Sequence, residues 1–473
     1  MGALRSGIQY ILRLTLKRDM VSFSQLAKIV DQLGGDVIAL DLVRTEGDST
    51  VRDLTVELAR AERAGELQAA LEVIDGVHIE NVSDRTFLMH LGGKIEIQPK
   101  VQIKTRTDLA QIYTPGVARV VEAIAADPNK AFQLTVKRNT VAIVSDGSAI
   151  LGLGNLGAKA ALPVMEGKAV LFKALADVDA FPICLDTQDL DAIVETVERI
   201  APAFGGINLE DIAAPRCFEI EQRLSQRLEI PVFHDDQHGT AVVILAGLIN
   251  AAKVVDKPLE SLRVVIAGVG AAGTATTNLL LHRGITHIIG YDREGAIVRG
   301  RRYPNRPGWE QYARVTNPDN RSGSLREVLT GADVFIGVSS GNLLIREDLA
   351  VMAPRAITFL MANPVPEISP EIAETYAAVV ATGRSDYPNQ INNVLCFPGL
   401  FRGVLNCRAR IITDGMKVAA AEALASVVRS DELGPEYIIP GVFNRMVAET
   451  VAAHVMRAAE ADGVARRSPP TVI

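Results

Sequence analysis

Two carboxylates, Asp235 and Asp236, stand between two imidazoles, His234 and His238, in the stretch IPVFHDDQHGTAVVILAGLINAAKVV. Three chemistries are open to such a cluster. The histidines could hold zinc, the aspartates could hold a harder ion, or the polar residues could form a turn before an apolar helix. Zinc would want both imidazoles on one helical turn plus a third ligand, and no H-E-x-x-H pattern is present. The carboxylate reading gains from GINLEDIAAP, where Glu210 and Asp211 form a second acidic pair. Converging carboxylates suit Mg2+ or Mn2+, which take oxygen ligands and keep positions open for a substrate. Taken singly, each pair could equally cap a helix.

Two further stretches carry reactive groups. Lys168 follows a glycine inside the apolar run LPVMEGKAVLFKALADVDAFPI, and Tyr113 precedes a Pro-Gly turn in IYTPGVARVVEAI. A lysine buried in such a run is costly to charge, so its pKa is expected to fall toward the operating range, where it can act as a base. A lysine reaching from a helix to the surface would read the same way in sequence.

Gly268, Gly270 and Gly273, with Ala271 and Ala272 between the last two, form G-V-G-A-A-G directly after the apolar RVVIA. The next apolar run ends at Asp292, about 20 residues on, where a dinucleotide fingerprint places its ribose-binding acid. The glycines allow a tight turn and close approach of a pyrophosphate to the N-terminus of the following helix. Asp292 favours NAD, while the adjacent Arg293 could accept the 2′-phosphate of NADP.

These groups need elements to position them. Residues 8–83 read as strand, helix, strand, strand, helix, strand, with apolar residues at period two in the strands and at three-to-four spacing in the helices. This βαββαβ order, with LGGDVIALDLV after the first helix, resembles the ACT regulatory domain, a ferredoxin-like module. The resemblance implies an amino acid or other small effector. A polar stretch, HLGGKIEIQPKVQIKTRTDL, leads to an α/β region up to about residue 250, and the glycine turn opens a doubly wound parallel sheet. The expected organisation is α/β throughout: an ACT-like domain over 1–90, a catalytic domain over 91–250, a Rossmann NAD(P)-binding domain over 251–410 and a helical segment over 411–473 that packs back on the catalytic domain.

The chain has 473 residues, of which 48% are hydrophobic, enough for several cores. A net charge of −7 with well-mixed signs argues against a nucleic-acid footprint. Apolar runs fall short of the roughly 20 residues a membrane span needs, and four scattered cysteines indicate no disulfide framework. The expectation is a cytoplasmic protein.

The motifs YTPGVA, SDGSAILGLGNLG, LPVMEGKAVLFK, NLEDI, FHDDQHGTA, VVIAGVGAAG, ADVFIGVS, ANPVPEI and GRSDYPNQINNVLCFPG occur in the order seen in malic enzymes of bacterial form. The resemblance spans about residues 100–410 and leaves 1–90 as a separate addition. It implies oxidative decarboxylation of malate to pyruvate with NAD (or NADP) and Mg2+ or Mn2+. Lys168 resembles the family's base and Tyr113 its acid, while Glu210, Asp211 and Asp236 match the metal ligands and Asp235 would support its neighbour. Asn363, at the cofactor as well, and Asn393 match positions that hold malate, with Asn392 an alternative to Asn393. The resemblance also implies a homo-oligomer, dimer or tetramer. One departure is Ser148-Ala149, where many animal and plant members place a carboxylate-clamping arginine; Arg384 is a candidate substitute. The rival readings are an ACT-regulated hydroxyacid or amino-acid dehydrogenase and a metabolite sensor whose catalytic region has decayed.

Overall fold

Strict alternation in IQYILRLTLK puts Leu12, Leu14 and Leu16 on one face of a strand, and all three are buried. The computed structural model describes residues 7–60, 62–306 and 308–467. It divides into two compact units that part between Glu96 and Ile97.

The first unit runs β1 (Ile8–Lys17), α1 (Phe23–Gln32), β2 (Gly35–Glu46), β3 (Ser49–Leu58), α2 (Arg63–Glu72), β4 (Val77–Asp84) and α3 (Arg85–His90). Its sheet is antiparallel in the order β2-β3-β1-β4, the ferredoxin-like arrangement expected from the βαββαβ pattern. Leu26 and Val30 of α1 and Leu67 and Leu71 of α2 share one apolar cluster with the strands. The other face is polar. There Arg13 sits opposite Asp53 in register and makes two bonds to its carboxylate, each 2.8 Å. Helix α3, just before the polar stretch expected to be a linker, starts where the Asp84 carboxylate accepts the Thr86 N–H at 2.7 Å.

The second unit opens with α4 (Arg106–Ile112), α5 (Val117–Ala126) and the single turn α6 (Ala131–Leu134). A parallel sheet follows, with β5 (Thr140–Ser145), α7 (Ala158–Ala176), β6 (Asp179–Cys184), α8 (Leu190–Ile200), β7 (Gly206–Leu209), α9 (Arg216–Arg227) and β8 (Val232–His234). Strand order is β6-β5-β7-β8. A π-helical turn over Asp235–Gly239 winds without a break into α10 (Thr240–Val254).

The second sheet of this unit comprises β9 (Val264–Ala267), α11 (Ala271–His282), β10 (Ile288–Asp292), β11 (Gly295–Ala296), α12 (Trp309–Val315), α13 (Leu325–Leu329), β12 (Val334–Gly337), α14 (Arg346–Leu349), β13 (Ala356–Leu360), α15 (Pro370–Ala373) and β14 (Ala377–Thr382). Its order is β11-β10-β9-β12-β13-β14, parallel except for the β10–β11 pair. The order reverses beside β9, which opens a crevice at the strand ends for a dinucleotide. The chain closes with α16 (Phe397–Cys407), α17 (Asp414–Val427) and α18 (Met446–Ala461).

Helix α10 is apolar from Ala241 to Ile249, and most of its length is buried, which is the pattern of a helix set within a core. Its residues join both sheets in one contiguous core that includes Val141 and Ile143 of β5, Ile266 of β9 and Phe359 of β13. Helix α17 packs on α10, and α18 packs on α16 and α7. The α16–α18 contact is close because Gly399 and Gly403 stand four apart on one face. A Cβ on Gly403 would lie 2.9 Å from the Ala452 carbonyl and 3.0 Å from Val455 Cβ.

Gly403→Ala is therefore expected to overpack this contact and lower stability by about 1–3 kcal/mol. Gly434→Ala, at a position with no atom within 4 Å of the added carbon, should leave Tm unchanged. Thermal unfolding of the two variants beside the wild type checks both, and an unaltered Tm for Gly403→Ala would refute the packing argument.

Candidate active site and metal centre

The carboxyl ends of the parallel strands deliver the reactive groups. Glu210 and Asp211 follow β7, His234 ends β8, and Asp235 and Asp236 begin the π-helical turn. Successive residues of a helical turn do not share a face, so the two aspartates diverge, and the π-helical turn adds one residue before α10. Asp211 adopts a left-handed conformation at φ 53°, which aspartate tolerates better than most residues. The Asp236 carboxylate accepts the Asp211 N–H at 2.9 Å, which ties the two loops together.

One oxygen from each of Glu210, Asp211 and Asp236 lies within 4.8 Å of the others. Glu210 and Asp211 are buried, and Asp211 Oδ2 has no hydrogen-bond partner among the described residues. Burial pushes the Glu210 carboxyl up to about 7 and the Asp211 carboxyl up to about 8, with the charge of Asp236 adding to both. Asp236 is raised as well. Three clustered oxygens with an unsatisfied lone pair and mutual repulsion fit a hard divalent cation. The histidines do not form a ligand pair: His234 Nε2 stands 4.0 Å from Asp236 Oδ2, and His238 is turned to another acid. His238 Nε2 lies 2.9 Å from Glu221, and both nitrogens of the fully buried His234 are unbonded among the described residues.

Lys168, on α7, is buried as expected, at 7% exposure. Its expected downward pKa shift is overturned. Burial does push the ammonium down, but the charges of Asp235, Glu210 and Asp236 outweigh it and hold Lys168 in the charged form. Its Nζ donates to Asp235, pairs with Glu210 and stands 4.5 Å from the centre of the Phe397 ring. Asp235 also differs from expectation. Its Oδ2 takes Lys168 and, at 2.6 Å, the Asn393 amide, so it serves the lysine rather than Asp236. Asn392 caps the turn behind it by accepting the Val394 N–H at 3.0 Å. Asn393 is thus the asparagine that the fold turns toward Lys168.

Other candidates are not brought to this cluster. Tyr113 closes α4 with 67% exposure and makes no side-chain hydrogen bond to a described residue. Arg384 is held by Asp386 through bonds of 2.8 and 2.6 Å and donates to the Pro364 carbonyl at 3.2 Å, so it buttresses the Asn363 loop and is no free clamp. Arg216, which the sequence did not single out, donates to Asp146 at 2.8 Å and to Ser148 at 3.1 Å. Nothing in its local sequence announces this role.

The glycine turn is built as its spacing implied. Gly268 has φ 107°, and a Cβ there would fall 2.8 Å from the Val338 carbonyl; one on Gly273 would strike the Gly268 carbonyl. Gly270 faces open space. Ala271 and Ala272 open α11, leaving N–H groups at its positive end for a pyrophosphate. Asp292 accepts Arg293 N–H at 2.7 Å and Val269 N–H at 3.3 Å, which fixes its carboxylate beside the turn. Asn363 is exposed at the end of β13, and its carbonyl lies against Gly152 of the SDGSAILGLGNLG loop. The crevice therefore has one wall from each sheet.

Behind Asn363 lies Glu367, fully buried, whose carboxylate accepts the Ala362 N–H at 3.2 and 3.3 Å and occupies the space that a side chain on Gly337 would need. Burial pushes it up from an ordinary 4.5 to about 7. The folded state then binds the proton more tightly than the unfolded chain, so stability is lost as pH rises from about 4.5 to about 7, by no more than about 3 kcal/mol. Glu367→Gln should flatten the fall in Tm between pH 5 and pH 8. A pH slope equal to that of the wild type would show that Glu367 does not carry it.

With this geometry in hand, the likeness to known proteins is direct. Family profiles for "Malic enzyme, N-terminal domain" and "Malic enzyme, NAD binding domain" match residues 92–225 and 237–460. The chain is 61% identical over 456 residues to an NAD-dependent malic enzyme of Geobacillus stearothermophilus, covering 96% of this chain and 95% of that one. It is 54% identical over 375 residues to a bifunctional malic/malolactic enzyme of Bacillus subtilis, covering 79% of this chain and 92% of that one. Among solved structures, the NAD-dependent malic enzyme of Thermotoga maritima superposes with a TM-score of 0.76 at 48% identity, over 79% of this chain and 99% of that one. A decayed sensor or a dehydrogenase of another family would have no need of the intact lysine and acidic triad together. The chain belongs to the malic enzyme family.

Proposed function

We propose that the chain catalyses the oxidative decarboxylation of malate to pyruvate and CO2, with NAD as hydride acceptor and Mg2+ or Mn2+ as the metal. The observation that carries this reading is the buried Lys168 sharing Glu210 with the carboxylate triad, at the mouth of a dinucleotide crevice. Glu210, Asp211 and Asp236 would hold the cation, which supplies Lewis-acid polarisation when bound. Gly268, Gly270, Ala271, Ala272 and Gly273 would receive the pyrophosphate of NAD, the acceptor of hydride from C2. Asp292 takes a ribose hydroxyl and repels a 2′-phosphate, which supports NAD over NADP.

Lys168 is the group placed to hold and move the proton of the C2 hydroxyl. It stands charged between Asp235 and Glu210 and over the Phe397 ring, and a cation held by Glu210 would take away one of these supports while burial continues to favour the neutral form. Asp235 positions the lysine, and Asn393, bonded to the same oxygen, positions a malate oxygen beside it. Asn363 contributes from the opposite wall. Tyr113 is assigned the proton delivered to C3, an assignment supported by its motif YTPG. The comparisons and the apolar balance support a homo-oligomer of the cytoplasm, and among the described residues no helix is long and apolar enough to cross a membrane.

Two variants separate the base from the metal. Lys168→Ala should lower malate turnover by about 10²–10⁴-fold with NADH binding intact, whereas Asp236→Asn should lose Mn2+ binding in calorimetry along with activity. Near-normal turnover in the first, or full Mn2+ affinity in the second, would sink the corresponding role.

The four-stranded order of the first unit supports the reading that it is an ACT-like module binding an amino acid or another small effector. A chain beginning at Gln98 should keep the malate reaction and lose its response to any such effector. An unchanged response would place the effector site elsewhere.

A further inference from the structure

Trp309 is the single tryptophan of the chain and is 6% exposed at the start of α12. Its indole N–H donates to the carbonyl of Val269, the middle residue of Gly268-Val269-Gly270, at 3.1 Å. The Val269 N–H is tied in turn to the Asp292 carboxylate at 3.3 Å. Both peptide groups of this residue are therefore held by side chains rather than by a strand or helix ladder. A trans peptide is planar, and its C=O and N–H point in opposite directions. A Val269 carbonyl drawn into the indole thus turns the Gly270 N–H away from α12; the turn is open at this residue, where an added Cβ would meet no atom within 4 Å.

The donor is itself well fixed. Tyr303 packs edge-on to Trp309 with ring centres 5.5 Å apart and accepts the Val298 N–H at 2.9 Å. The Arg306 guanidinium lies over the indole at 5.1 Å. Tyr312, one turn on, shares a hydrogen bond of 2.8 Å with Thr277 of α11, and Gly290 leaves room for its ring. Val269, Ile297, Tyr303, Trp309, Tyr312 and Ala313 form an apolar cluster of their own. The residues after β11, together with α12, thereby build a buttress behind the glycine turn.

We propose that Trp309 is a positioning residue for the cofactor: by holding the Val269 carbonyl it presets the Gly270 N–H to donate to a phosphate oxygen of the dinucleotide. The proposal rests on the reading of residues 268–273 as the dinucleotide cradle. Preorganisation of this kind appears in ground-state binding of the cofactor and leaves the chemical step alone.

Trp309→Phe keeps a buried aromatic ring and removes the donor, with some loss of volume in the cluster that Tyr303→Phe does not share. We expect the Kd for NADH, read from the coenzyme's own fluorescence, and the KM for NAD to rise about three- to ten-fold, the worth of one hydrogen bond. The kcat and the KM for malate should stay within about twofold. Tyr303→Phe removes a hydrogen bond from the same cluster without touching the turn, and should leave both NAD constants unchanged. In the wild type, saturating NAD should change the emission of the lone tryptophan. An unmoved Kd in Trp309→Phe, an equal rise in Tyr303→Phe, or no emission change in the wild type overturns the role of Trp309 alone. A wild type that binds no NADH overturns the cradle and the proposal together.

Discussion

Four carboxylates and one lysine meet in a pocket that excludes most water, and the rest of the catalytic unit follows from keeping them there. Unpaired buried charge is among the most expensive features a fold can carry. Lys168 offsets part of this cost by facing Asp235 and Glu210, and Asn393 and Asn208 place amide donors on the same two carboxylates. Asp211 and Asp236 have no lysine or arginine ion pair among the described residues, and a divalent ion at this cluster would supply the missing positive charge. Stability and function therefore pull in opposite directions at the same residues.

The scaffold meets this demand with parallel strands. Their carboxyl ends release loops from the hydrogen-bond ladder at one edge, so acids from β7 and β8 converge without breaking a sheet. The largely apolar helix α10 then carries the π-helical turn at its head, with Asp235, Gln237 and Gly239 of the turn buried. Because the same helix packs into the core of the dinucleotide sheet, the metal loop and the cofactor crevice share one rigid foundation. The cofactor side uses backbone shape where the metal side uses charge: its glycines remove obstacles, and Asp292 and Trp309 hold the turn from two directions.

Much of this was legible in the residues. Period-two alternation gave the four strands of residues 8–83 and three-to-four spacing gave their two helices, because a half-buried sheet and an amphipathic helix expose their patterns in single residues. G-V-G-A-A-G followed by Asp292 gave the cofactor turn, because steric need for glycine is local. The acidic pairs at Glu210-Asp211 and Asp235-Asp236 pointed to a candidate metal centre, and the fold brings Glu210, Asp211 and Asp236 together.

Other features depended on distances that sequence does not contain. That Lys168 is held charged depends on which carboxylates reach it, and desolvation and pairing push its pKa in opposite directions with comparable strength. Asp235 and Asp236 are neighbours in sequence, yet the π-helical turn sends one to the lysine and the other to the metal loop. Asn392 and Asn393 are likewise equivalent until one caps a turn and the other meets Asp235. Sequence by itself determined the kinds of chemistry available and the elements that bear them, because both are properties of residues and short spacings. Tertiary structure alone decided the protonation of the lysine, the pairing of each acid and the tether of the glycine turn by Trp309, because each is set by contacts between residues that the chain separates by tens of positions.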